Sequence, residues 1–82
     1  MTAFIEVATS AIRVYAAGTD RVVWAADLTT QNGKKQARKL AAEILWHPKL
    51  GPIDTLTFQG EDGKEHTIPA SAHLASRIAA VL

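Results

Sequence analysis

The chain has 82 residues, a formal net charge of +1 and no cysteine. That length makes one domain, 1–82, whose core is too small for a wide margin of stability. The composition excludes disulfides and thiolate metal sites, and the balanced charge gives no bulk signal for nucleic acid.

Residues 3–28 read as strands, rich in Val, Ile, Phe, Tyr and Trp with period-two alternation. A turn at Ala17-Gly18-Thr19-Asp20, with Gly18-Thr19 as its loop, sets Ala17 opposite Asp20. Val14 then opposes Val23, Ile12 opposes Ala25, Tyr15 opposes Val22 and Arg13 opposes Trp24. A second turn at Thr9-Ser10 sets Ile5 opposite Val14, Val7 opposite Ile12, Glu6 opposite Arg13 and Phe4 opposite Tyr15. This three-stranded reading gathers Ile5, Val7, Ile12, Val14 and Val23 on one face and pairs opposite charges on the other. The rival is one long bent strand from Ala3 to Ala16, since Thr-Ser is poor chemistry for a tight hairpin turn.

Thr29 to Gly33 reads as a loop, with Thr30 or Asn32 as the cap of a helix over Asn32–Trp46. Ala37, Leu40, Ala41, Ile44 and Leu45 repeat at the three-and-four spacing of a buried helix face. The first turns carry Lys34, Lys35, Arg38 and Lys39, with no acid before Glu43. Cations at a helix start oppose the dipole by roughly 0.3–1 kcal/mol each. The cluster is therefore either an anion or nucleic-acid site, or a solvated face. Pro48 discourages helix at His47, and Pro48 to Pro52 reads as a stiff connector.

Ile53 to Pro69 reads as a hairpin with the three-residue loop Glu61-Asp62-Gly63 and Gly63 at positive φ. Gly60 then pairs with Lys64, Phe58 with His66 and Leu56 with Ile68. A two-residue Asp62-Gly63 turn would separate Leu56 and Phe58 from Ile68, so the apolar pattern selects the longer loop. Ser71 caps a last helix running to Leu82, with Leu74, Ala75, Ile78, Val81 and Leu82 on its apolar side.

Catalytic and metal signals are weak. His47, His66 and His73 lack the paired spacing of a zinc site, so no metal and no cofactor is expected. His66 reads as a hydrogen-bonded histidine at the core edge beside Phe58, and His73 as solvent-facing. The hairpin tip lacks the alternating oxygen ligands of a calcium loop. The glycines match no phosphate-cradling pattern. No enzyme is expected.

The expected fold is α+β: an antiparallel sheet of four to five strands in the order β-β-(β)-α-β-β-α, with both helices on one face. The start of the chain does not read as a signal peptide and no apolar run is long enough for a membrane span, so a cytoplasmic setting is expected. The leading functional reading is a small non-enzymatic protein-binding module, either an inhibitor of the size that phages and plasmids encode or an assembly subunit. The contact surface would be an aromatic sheet face of Phe4, Arg13, Tyr15 and Trp24, residue types that recur at binding hot spots. The basic helix start would guide an acidic partner. The alternative for Trp24 is a core position, with the register off by one. The rival functions are nucleic-acid binding through Lys34, Lys35, Arg38 and Lys39, and homo-oligomerisation through a sheet edge or the apolar C-terminus.

Overall fold

The computed structural model describes residues 2–46 and 55–82. Its elements run β1 (Phe4–Val7), β2 (Ala11–Tyr15), β3 (Val22–Asp27), α1 (Gln31–Trp46), β4 (Thr55–Gln59), β5 (Glu65–Pro69) and α2 (Ala72–Ala80). The strands form two antiparallel sheets, β1-β2-β3 and β4-β5, and not the single sheet of four to five strands that the sequence predicts. Among the described residues, single backbone bonds link the two sheets at two places. Ala3 N–H donates to Thr67 C=O at 2.6 Å, and Glu61 N–H donates to Val23 C=O at 2.8 Å. One bond at each place joins the sheets without making a ladder.

The β1–β2 register follows the apolar alternation: Phe4 faces Tyr15, Ile5 faces Val14, Glu6 faces Arg13 and Val7 faces Ile12. The Thr9-Ser10 turn is therefore real, closed by Ala8 N–H on Ala11 C=O at 3.0 Å. The single bent strand over 3–16 is not what forms.

The β2–β3 pairing departs from expectation. The connection is a four-residue loop, closed by Ala16 N–H on Arg21 C=O at 2.9 Å, with Gly18 at φ +75°. Tyr15 faces Val22 as expected, but the next pair is Val14 with Trp24, then Arg13 with Ala25 and Ile12 with Ala26. Val23 is thus the extra residue of a bulge. One inserted residue reverses the facing of everything beyond it. Ala26 is buried and Ala25 exposed, whereas the unbulged register gives Ala25 the inner position.

Helix α1 begins one residue before the expected start. Of the two candidate caps, Thr30 is the one used: its Oγ1 accepts from Gly33 N–H at 3.0 Å. Gly33 is buried against the end of β3. A Cβ placed on it would lie 2.8 Å from Asp27 N, 2.5 Å from its carbonyl carbon and closer still to its oxygen. The same Asp27 oxygen accepts from Thr30 N–H at 3.3 Å and from Thr30 Oγ1 at 3.0 Å. Strand and helix are knotted together at this point.

The β4–β5 hairpin takes the predicted register, with Leu56 facing Ile68 and Phe58 facing His66. Gly60 N–H donates to Lys64 C=O at 2.9 Å, and Gly63 has φ +77°. Ser71 caps α2, accepting from Leu74 N–H at 3.1 Å. Leu82, expected on the packed side, is 37% exposed beyond the helix end.

One core joins the inner faces of both sheets to both helices. Ile12, Val14, Ile44, Ile68 and Ile78 are fully buried within it. Each such side chain contributes roughly 1.5–3 kcal/mol by leaving water. Helix α1 packs on β3 and on α2. His47 and the 48–52 connector lie outside the described residues. Among the described residues, no helix is long and apolar enough to cross a membrane.

Candidate interaction surfaces

The outer face of the three-stranded sheet is built by the positions that alternate with the core. Phe4 and Tyr15 face one another across β1 and β2, with ring centroids 6.0 Å apart and planes tilted by 39°. This is ordinary geometry for an aromatic pair. Phe4 is nonetheless 64% exposed, and Val22, opposite Tyr15, is 39% exposed. Next along the strands, Arg13 Nη1 donates to Glu6 Oε1 at 3.1 Å. Both partners are about two-fifths exposed, so this pair adds at most about 1 kcal/mol. Beyond it the small side chains of Ala11 and Ala25 leave a shallow hollow of about 430 Å³, bounded by Ser10, Arg13, Asp27 and Thr29. No residue of this face is buried.

Three of the four expected face residues, Phe4, Arg13 and Tyr15, therefore stand together. Trp24 does not join them. The bulge at Val23 sets Trp24 opposite Val14, on the core-facing side, where it is half-buried against the core. The expected Arg13–Trp24 pairing is replaced by Arg13–Ala25.

Trp24 instead forms one wall of a groove of about 310 Å³ between β3, α1 and β4, with Phe58 as the other wall. Val14 and Leu40 floor it, and the polar side chains of Gln36, Lys39, Glu43 and Gln59 rim it. Sequence reasoning missed this groove, because it depends on the bulge and on two distant elements meeting.

The basic residues of α1 divide. Lys34 is half-buried; Lys35, Arg38 and Lys39 are exposed. Lys39 belongs to the groove with Trp24. None of the four is ion-paired with another described residue. At the helix start, the Gly33 N–H that an anion would use is already taken by Thr30.

At the hairpin tip, His66 Nε2 lies 3.0 and 3.1 Å from the two carboxylate oxygens of Asp62. Both side chains are almost fully covered. The His66 hydrogen bond, and then the Lys64 N–H, hold the Asp62 carboxyl below its ordinary value, and Arg21 adds a small favourable field. The His66 ring lies 6.3 Å from that of Phe58, at the core edge as expected. Asp27 is lowered in the same sense by the Thr29 hydroxyl at 2.6 Å and the Thr29 N–H at 2.9 Å. His73 is exposed in the first turn of α2. Among the described residues, no three His, Cys, Asp or Glu side chains gather closely enough to hold a metal ion.

Comparison with known proteins finds no match: no family model, no curated protein and no solved structure is similar to this chain.

Proposed function

We propose that the chain is a small, non-enzymatic, cytoplasmic protein-binding module whose contact surface is the outer face of β1-β2-β3. The observation that supports this is Phe4. A phenylalanine 64% exposed, beside Tyr15 and Val22 on a face that buries nothing, is apolar area left available. Arg13 beside it supplies a directional hydrogen-bonding group, and the Ala11/Ala25 hollow can accept a protruding side chain. The exposed cations of α1 steer an acidic partner toward the molecule. Inhibitors and assembly subunits are roles of this kind.

The sheet face alone is small. Three strands about 4.8 Å apart and four to six residues long span roughly 200 Å² in projection. A stable complex covers about 800 Å² per partner. The partner therefore also grips the flanking turns, or binds transiently.

A second reading is nucleic-acid binding through Lys34, Lys35, Arg38 and Lys39. It is favoured by four cations with no ion-pair partner among the described residues. Binding of that kind would weaken steeply with salt.

Affinity capture from the native host separates the readings. Wild-type protein and a variant with all four cations changed to Gln should retain the same partner, and Phe4→Asp should lose it. Retention of that partner by Phe4→Asp would refute the sheet-face proposal. Low-salt binding to DNA or RNA that disappears in the Gln variant would support the second reading.

A further inference from the structure

The groove between Trp24 and Phe58 lies across the sheet from the proposed contact face and is independent of it. Two half-buried rings stand as its walls over a floor of Val14 and Leu40, in a space of about 310 Å³. That volume is at the small end of the range for ligand sites. The Phe58 wall is held from behind. His66 lies against it, and Asp62 fixes His66 through both carboxylate oxygens. A prearranged wall reduces the ordering cost of binding.

The rim selects the charge of the occupant. Lys39 and Glu43 stand one helical turn apart and line the same groove, yet no ion pair joins them. An anionic ligand would gain Lys39 but meet Glu43, and a cationic one would meet the reverse. A ligand carrying both charges satisfies both residues. Gln36 makes no side-chain hydrogen bond to another described residue. Gln59 uses its amide nitrogen on Gly63 C=O at 3.1 Å and keeps its carbonyl oxygen as an acceptor. The flanking rings favour a planar apolar body.

We propose that this groove binds a small zwitterionic aromatic, a planar ring bearing one ammonium and one carboxylate, as in a free aromatic amino acid. The ring lies between Trp24 and Phe58, the carboxylate meets Lys39 and the ammonium meets Glu43. A ligand of this size in a half-open groove binds with a Kd on the order of 1 mM.

The test is NMR titration of the whole chain with L-phenylalanine, phenethylamine and 3-phenylpropanoate. L-Phenylalanine should give saturable shifts at the Trp24 indole N–H and at Lys39, Leu40, Glu43, Phe58 and Gln59. Each analogue lacking one charge should bind about five-fold more weakly, the scale of one exposed ion pair. Lys39→Gln should weaken L-phenylalanine by the same factor and should tighten phenethylamine, whose ammonium no longer meets a like charge. Glu43→Gln should likewise weaken L-phenylalanine and should tighten 3-phenylpropanoate, whose carboxylate no longer meets a like charge. Both residues are exposed, so these variants keep the fold. No saturable shift up to about 20 mM, twenty times that expected Kd, would overturn the proposal. So would shifts elsewhere in the chain, or equal affinity for all three ligands.

Discussion

Gly33→Ala separates this fold from an ordinary helix start. In a helix interior, replacing glycine by alanine stabilises by about 1 kcal/mol, because glycine loses more backbone freedom on folding. Here the added methyl would overlap Asp27, 2.5 Å from its carbonyl carbon and 2.8 Å from its nitrogen. These are backbone atoms of a paired strand, so no side chain can swing away. The helix start must move off β3. That movement strains the core by roughly 1–3 kcal/mol, the usual cost of overpacking. It also stretches the two Thr30 bonds to the Asp27 oxygen, worth about 1 kcal/mol each. Against about 1 kcal/mol of helix propensity, the net expectation is a loss of roughly 2–4 kcal/mol. Urea unfolding followed by far-UV circular dichroism measures it. Gly63→Ala is the control: its methyl meets nothing within 4 Å, so only the strain of φ +77° remains, roughly 1–2 kcal/mol. A Gly33→Ala protein as stable as wild type would refute the close packing of α1 on β3.

Trp24→Ala is expected to cost about 2 kcal/mol in the same assay, because the ring is half-buried against the core, and fully buried aromatics lose about 3–5. Unchanged stability would return Trp24 to the outer face and remove the bulge at Val23. Asp27 and Asp62 should contribute to the loss of stability in acid. Both carboxyls are depressed in the folded state by hydrogen bonds, from Thr29 and from His66 respectively. Their contribution is complete above the ordinary value of 3.8 and is lost as pH falls through the lowered folded values. An Asp27→Asn, Asp62→Asn variant should show a shallower loss of stability below pH 3.8, and an unchanged acid profile would exclude these two groups as the cause.

Local chemistry made the two hairpins readable. The β1–β2 and β4–β5 registers follow from period-two alternation, and in the second hairpin Gly63 also sets the loop length. The β2–β3 register was readable only as far as Tyr15–Val22. Past that pair, the Val23 carbonyl is taken by Glu61 N–H, a donor from another hairpin that no local pattern announces. Trp24 turned inward as a consequence, and the candidate face lost its largest ring. The two-sheet division was hidden for a related reason. Each hairpin satisfies its own ladder, and the links at Ala3–Thr67 and Val23–Glu61 are single bonds. The cap was undecided between Thr30 and Asn32 until the burial of Gly33 fixed where α1 begins.

The central claim is that Phe4 and Tyr15 serve binding and contribute little to stability. The direct measurement pairs two quantities for Phe4→Ala: the urea midpoint, and the calorimetric affinity for the protein captured from the host. An exposed ring on an uncovered face is expected to leave the unfolding free energy obtained from that midpoint within about 0.5 kcal/mol of wild type. As an anchor residue it should also weaken binding by about 30-fold, the equivalent of roughly 2 kcal/mol. Unchanged affinity, or a weakened fold with binding intact, would contradict the assignment of this face.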